Sequence, residues 1–393
     1  MGTPRSGGGA CDGYAIRVTI SVLSPEILRG IRERAAETDR RGEFFHEDLR
    51  VLADAGYLLG HESLTAVVDD QRRLAQHAPA TALAVGMHHT WLGVARQLAG
   101  AGVPSGPILA DARAGEIFAF GISEAGNDAV LWDSLTTAVT HSDESVALTG
   151  TKIFTSMSPA WTRLGTFGID GEDLVFGFVT RSRDDSGAPI NPVGVTQDQD
   201  WDTVGMRATQ SWTTHLDSAR IESHHVLARI PRDEADPVRY AIFGVFSTLV
   251  AAVYLGIAER ALELGVEAAH TRTSRLAGGA PLSADPDIRR QLAEAALIID
   301  GLVPQITLMA AQLDSEAASG RIGDISFRQF AGLKHRAVES ARTVVDIALR
   351  VAGGNGYRNG SEISRLHRDV LAGIYHPSDP ESVRRTVASD LLD

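Results

Sequence analysis

The chain has 393 residues, 44% of them hydrophobic and 22% charged, enough for a layered fold around a substantial core. Its 50 acidic residues outnumber 37 basic ones, and a net charge of −13 argues against sequence-independent binding to nucleic-acid phosphates. A single cysteine, Cys11, excludes an internal disulfide and a thiolate metal cluster, and fits a reducing cytoplasm.

Residues 1–20 are Gly-rich at their start, lack the apolar core of a signal peptide, and are expected to be a disordered leader. No apolar run is expected to reach the roughly 20 residues that span a bilayer, so no membrane partner is expected. Ser24-Pro25 is a helix start, with Ser as N-cap and Pro at the first helical position. Residues 21–115 are helical in texture, with Gly and Pro breaks near Gly56, Gly60, Pro79 and Gly100 to Pro107.

From 116 to 232 the pattern changes to short runs rich in Val, Thr, Phe and Ile. Leu131 to Thr140, Ser145 to Leu148, Ile153 to Thr155 and Leu174 to Thr180 are predicted strands. Asp143-Glu144, Asp170-Gly171 and Asp184 to Gly187 are predicted turns. A β-barrel or sandwich follows from these signals. Residues 233–393 return to helix. Leu292, Ala295, Ile299, Leu302, Ile306, Met309 and Leu313 form one apolar stripe, with Pro304 expected to kink it. Phe330, Leu333, Ala337, Ala341, Val344 and Ala348 form a second, ending at Gly353-Gly354. Long helices with such stripes make a bundle. The fold class is therefore α+β: an N-terminal helical domain, a central β-domain and a C-terminal four-helix bundle.

Four segments in order carry a resemblance. They are Gly121-Ile122-Ser123-Glu124-Ala125-Gly126-Asn127-Asp128; Leu148-Thr149-Gly150-Thr151-Lys152-Ile153-Phe154-Thr155-Ser156; Trp201 with Gly205-Met206-Arg207-Ala208-Thr209-Gln210-Ser211; and Gly353-Gly354-Asn355-Gly356-Tyr357 with Arg365 and Arg368-Asp369. Together they resemble the acyl-CoA dehydrogenase superfamily over about residues 25 to 390. The resemblance implies that architecture, a homo-oligomer (dimer or tetramer), and a flavin, FAD or alternatively FMN, between the β-domain and the bundle.

By that resemblance Phe154 lies near the flavin ring, with Thr155 beside it and Ser156 near N5. Ser123 and the Asn127 loop face its pyrimidine edge. Arg275, Arg350, Gly353 and Gly354 meet the phosphate end, Arg275 across a subunit interface. Gly278 stands where the family has an aromatic residue, and Arg350 where it has Gln. These departures leave FMN open beside FAD.

A dehydrogenase of the family removes an α-proton with a positioned carboxylate. Here Ile374-Tyr375-His376-Pro377 has His376 at that place, and the alternative position on a bundle helix falls near Phe246. The resemblance then favours the reduced-flavin-dependent (group D) monooxygenase branch, whose members hydroxylate aromatic rings or oxidise amines and sulfur, often in secondary metabolism. Such an enzyme takes reduced flavin from a separate NAD(P)H:flavin reductase and needs a dry cavity and a proton donor, for which His376 is the candidate. The doublet His88-His89 adds a second candidate. Adjacent helical residues point about 100° apart, so at most one faces the pocket. The histidine doublets lack metal-ligand spacing, and no metal site is expected. No Gly-x-Gly-x-x-Gly follows a strand, so no intrinsic nicotinamide site is expected.

The expected function is a cytoplasmic two-component flavin-dependent monooxygenase acting on an aromatic or heteroaromatic small molecule, an indole-type compound being one example. Its alternatives are an acyl-CoA or acyl-carrier-protein dehydrogenase with a relocated base, and a non-catalytic flavin-binding scaffold.

Overall fold

A computed structural model describes residues 21–129 and 131–392. The expected leader, with Cys11, lies outside the described residues.

The first helix, α1 (Pro25–Arg41), starts as its sequence dictates: Ser24 Oγ accepts the Ile27 N–H at 3.3 Å, and Pro25 fills the position where no N–H is needed. It is followed by α2 (His46–Asp54), α3 (Leu64–His77), α4 (Pro79–Gly100) and α5 (Ile108–Arg113). The α4 helix is buried along nearly its whole length.

The strands are β1 (Phe118–Gly121), β2 (Thr137–Thr140), β3 (Val146–Thr155), β4 (Arg163–Asp170), β5 (Asp173–Thr180), the short pair β6 (Ser182–Arg183) and β7 (Pro189–Ile190), then β8 (Val195–Asp198), β9 (Trp212–Ile221) and β10 (Val226–Pro231). The main sheet has the order β10-β5-β4-β2-β3-β9-β8, with β1 parallel to β4. Its inner face holds a small core of its own, including Trp161, Leu164, Val175 and Leu216.

Only the second half of the expected strand Leu131 to Thr140 forms. The backbone N–H groups of Leu135 and Thr136 bond instead to the buried carboxylate of Glu124, at 2.7 and 3.1 Å, which diverts the chain from pairing. The two expected strands at 145–148 and 153–155 are one, β3. The predicted turns form, with Glu144, Gly171 and Gly187 in the left-handed region.

The remaining helices are α6 (Pro237–Thr271), α7 (Pro286–Ser319), α8 (Phe327–Ala352), α9 (Glu362–Val370) and α10 (Pro380–Leu392). Side chains cap four of them: Asp236 for α6, Asp285 for α7, a reciprocal Ser326–Gln329 box for α8, and Asp379 for α10. Pro304 sits inside α7 without ending it. The bundle centres on α6, which packs against α7 and α8 on one side and α3 and α4 on the other; α10 packs on α8.

That position corrects one expectation. Both α6 and α7 are long and apolar enough to span a bilayer by length and composition, and Tyr240 to Ala258 carries no charged residue. In α6 the apolar window is 94% buried inside the protein, because a helix with neighbours on every side needs apolar residues all round. The corresponding window of α7 is 28% buried.

Candidate active site

A cleft of about 360 Å³ opens where the three parts of the chain meet. Leu83 and Met87 come from α4, Phe120 from β1, and Phe154 and Ser156 from the end of β3. The loop from Trp201 to Met206 forms the rim, with Thr209 and Ser211 behind it; Phe246 comes from α6, and Leu371 to Pro377 close the far side.

An irregular end of β3, with a register shift between Lys152 and Thr155, sorts its last residues. Phe154 adopts a left-handed backbone (φ +57°) and shows a half-exposed ring, with Trp201 set edge-on at 5.9 Å. Ser156 shares its face. Thr155 points the other way and is fully buried, its hydroxyl without a partner, so its side chain does not reach the cleft as expected. Ser156 Oγ meets Ser211 Oγ at 2.8 Å, and Ser211 Oγ meets Thr209 Oγ1 at 2.7 Å. Thr209 donates onward to the Met206 carbonyl at 2.9 Å. A chain of hydroxyls thus runs inward from the cleft wall.

Two of the sequence motifs hold each other. The Asp369 carboxylate accepts the Met206 N–H at 2.6 Å. Burial raises Asp369 to about 6, against the pull of neighbouring Arg365. A Cβ on Gly205 would stand 2.1 Å from the Arg368 carbonyl, so only glycine fits. Arg368 bonds the Val204 carbonyl at 2.9 Å and pairs with Asp39 of α1.

The first two motifs meet likewise. Lys152 Nζ and Glu124 Oε1 lie 2.6 Å apart, both sealed from solvent. Glu124 also accepts from Ser134, Thr136 and Asn127. Burial opposes its charge, but Lys152 and these donors hold it down at about 2. This ion pair braces the loop beneath Ser123, which itself lines the cleft. Asn127 spends its amide on Glu124 and the Asp133 carbonyl, at 2.9 and 2.8 Å, and does not line the cleft.

His376 does line it, within 5.8 Å of the Tyr254 ring. Its Nδ1 is sealed from solvent without a partner. Burial first, and the Lys334 ammonium second, push the imidazole down to about 3. It is therefore neutral near pH 7. The expected imidazolium donor is corrected to a neutral imidazole, able to donate one N–H and accept at the other nitrogen.

The expected pocket role of the histidine doublet is also corrected. His88 Nδ1 accepts the Phe118 N–H at 3.1 Å, so Nε2 carries the proton, which it gives to the Leu58 carbonyl at 2.7 Å. Both nitrogens are committed to backbone. His89 is buried against Tyr57, with ring centroids 4.5 Å apart and neither nitrogen partnered. Neither histidine lines the cleft. Trp91 is core: its Nε1 donates to the Ala119 carbonyl at 2.9 Å, and its ring fills the space over Gly165.

Arg275, Arg350, Gly353 and Gly354 are not brought to the cleft within one chain. Arg275 is exposed, and Arg350 is exposed and paired with Asp346. The turn at Gly353 (φ +60°) packs on the Arg272 guanidinium.

Residues 248–378 match the family model described as acyl-CoA dehydrogenase, C-terminal domain. The chain is 26% identical to the putative acyl-CoA dehydrogenase YdbM of Bacillus subtilis, over 92% of this chain and 93% of that protein. It is 28% identical to the L-evernosamine nitrososynthase of a Micromonospora species, over 91% of this chain and 85% of that protein. Butyryl-CoA dehydrogenase from Megasphaera elsdenii superposes with a TM-score of 0.79 at 18% identity, covering 94% of this chain and 97% of that one. FMN-bound TdsC from Paenibacillus gives 0.78 at 20%, covering 93% and 95%. Residues 248–378 thus resemble the acyl-CoA dehydrogenase C-terminal domain, and the whole chain shares the acyl-CoA dehydrogenase fold with these structures.

Within this acyl-CoA dehydrogenase fold, the two places weighed for a carboxylate base both open on the same cleft, one as His376 and the other as Phe246. Phe246 is stacked on Phe120. Asp202 is the one carboxylate residue among the described lining residues, and its side chain stands out in solvent at the rim, 98% exposed. The walls fit a flat apolar ring with a polar edge: Phe154 offers an uncovered face, and Ser123, Ser156 and Ser211 offer hydroxyls. The sequence reading missed Phe120, Thr209 and Ser211 as site residues. Thr209 and Ser211 stood within a quoted motif, but Thr209 ends a 3-10 turn and Gln210 takes a left-handed backbone, so no simple residue spacing signalled that both face the cleft.

Proposed function

We propose that this protein is a two-component flavin-dependent monooxygenase acting on an aromatic or heteroaromatic small molecule. The observation that carries the reading is that no carboxylate among the described residues points into the cleft, with a neutral His376 and the Phe120–Phe246 stack at the places where a dehydrogenase needs its base. The relatives are consistent with it in part, since TdsC is named as a dibenzothiophene monooxygenase and has been seen with indole, while others are named dehydrogenases.

A reduced flavin in the cleft supplies two electrons to dioxygen, so that one oxygen atom enters the substrate and the other leaves as water. Phe154 and Ser156 would hold its ring, with Ser123 at the pyrimidine edge. Phe120, Phe246, Leu83 and Met87 keep water from the reacting face. His376 accepts a hydrogen bond from the substrate's N–H or O–H and orients it. The Ser156–Ser211–Thr209 chain ends on the Met206 carbonyl, so it turns the Ser156 proton inward and leaves the Ser156 oxygen free to accept a hydrogen bond from the cleft.

The reduced flavin comes from a separate NAD(P)H:flavin reductase. FAD would need Arg275, Arg350, Gly353 and Gly354 to be supplied to the cleft by a second copy of the chain in a dimer or tetramer, whereas FMN would not.

The test is direct. The purified protein is mixed anaerobically with acyl-CoA thioesters while flavin absorbance is followed, then given reduced flavin, oxygen and indole-type compounds. Oxygenated product without thioester reactivity is expected. Bleaching by a thioester overturns the oxygenase in favour of the dehydrogenase; neither reaction, with tight flavin binding, leaves a scaffold.

A further inference from the structure

Lys334 stands on the core face of α8, between Phe330 and Ala337, and is 2% exposed. Its ammonium has three protons to give, and it gives them to three carbonyls of one loop: Gly373 at 3.2 Å, His376 at 3.2 Å and Ser378 at 2.9 Å. It forms no ion pair among the described residues. The nearby carboxylate of Asp379 is used instead to cap α10, accepting from Glu381 and Ser382 at 2.9 and 2.8 Å. The loop is shaped for this contact. Ser378 adopts a left-handed backbone (φ +59°), and Gly373 lies so close to Val338 and Tyr254 that a Cβ would come within 2.6 Å of the valine.

We propose that Lys334 is the positioning residue for His376: its ammonium, seated on three carbonyls of the 373–378 loop, fixes where the imidazole points and places a positive charge behind it. A buried ammonium without a counter-ion is costly, and a merely structural role could be filled by an apolar side chain and a different loop. The arrangement instead joins a helix to the one loop that carries a titratable side chain into the interior of the cleft. Burial lowers Lys334 to about 8, so it is mostly charged at pH 7, and its field is the second cause that keeps His376 neutral. The other ionisable groups that meet the imidazole ring or line the cleft with it are Tyr254 on α6, Arg368 on α9, Tyr375 beside it and Asp202 at the rim, while Asp379 acts on Lys334 and Asp369 on Tyr254. Of these only Lys334 bonds the His376 backbone.

The functional importance of the inference rests on the proposed oxygenase reading, but its test does not. The histidines are labelled with 15N, His376 is assigned by His376→Gln, and the protein is titrated from pH 8 to pH 4. In the unaltered protein His376 stays unprotonated across the range. In Lys334→Met and Lys334→Gln it begins to take up a proton at the acid end of the range, a rise of about one pH unit or more from about 3, which is a tenfold or greater gain in proton affinity. Lys334→Gln keeps donors for the loop carbonyls and guards against failure of the Met variant to fold; unchanged His88 signals report an intact fold. Lys334→Arg keeps the charge and leaves His376 unprotonated. A His376 signal that behaves identically in the folded neutral variants overturns the inference. A shifted titration with unchanged product yield per oxygen consumed would leave the inference standing and remove His376 from the proposed reaction.

Discussion

Phe246 lies face to face with Phe120, ring centroids 5.1 Å apart and planes 7° from parallel. The pair joins α6 to β1 across the inner end of the cleft, and both rings are almost wholly buried. An apolar plate therefore occupies the ground where chemistry on an acidified C–H bond would need a charge.

Phe246→Ala removes half of that plate. The cavity is expected to cost about 3 kcal/mol of stability, seen as a lower denaturation midpoint. Water then reaches the reacting face. Peroxide release per flavin oxidised should rise at the expense of product; unchanged partition between the two would separate the stack from water exclusion.

The Lys152–Glu124 pair should behave as a buried pair does. Lys152→Met leaves the Glu124 carboxylate uncompensated and is expected to cost about 3–5 kcal/mol in urea unfolding. Adding Glu124→Gln restores much of the loss, because no buried charge remains. Additive losses would mean that the two side chains do not interact.

Stability should fall on mild acidification. Burial drops His88 to about 4 and places His89 well below its ordinary value, while both sit near 6.5 in the unfolded chain. Below pH 6.5 the unfolded state binds protons that the folded state refuses, so stability declines from there toward pH 4. His88 alone accounts for on the order of 3 kcal/mol over that interval. Denaturation midpoints at successive pH values measure it. His88→Asn, which has a donor and an acceptor but no titration, should show a shallower decline; an equally steep one would count against this origin.

Ser156 and Ser211 should act as one unit. Ser156→Ala and Ser211→Ala are each expected to reduce product formed per oxygen consumed, and the double variant to reduce it little further. Multiplicative losses would break the hydroxyl chain into independent parts.

His376→Ala should lower the coupling of flavin oxidation to product while leaving flavin affinity within about twofold, since the side chain faces the cleft rather than holding its walls. Coupling measured by product yield against oxygen uptake decides it.

Much of this site could be read from residue order. The motifs placed Phe154, Ser156, Ser123 and His376 around one cavity because each motif carries its own local geometry: a strand end, a tight loop, a helix exit. What they did not reveal were pairings between distant segments. Glu124 and Lys152 were both in quoted motifs, yet nothing local says that they touch. His88 invited a catalytic reading because the branch the sequence resembles often places a pocket histidine in this helical region; its real partners, the Leu58 carbonyl and Phe118 N–H, lie 30 residues away on either side. Lys334 interrupts the stripe of Phe330, Leu333 and Ala337, and a cation on a core face was the visible sign that a set of acceptors waited there. The charge-free run in α6 was legible as well, but its meaning depended on how many neighbours the helix has.

The contact of Asp369 with Met206 spans 163 residues and is made of one carboxylate and one amide. A nascent chain that has reached the end of its sheet but not yet Asp369 has one wall of the cleft and no far wall. The cleft is therefore completed by a segment made well after the sheet, and until that segment folds back the Phe120–Phe246 plate lacks its far cover.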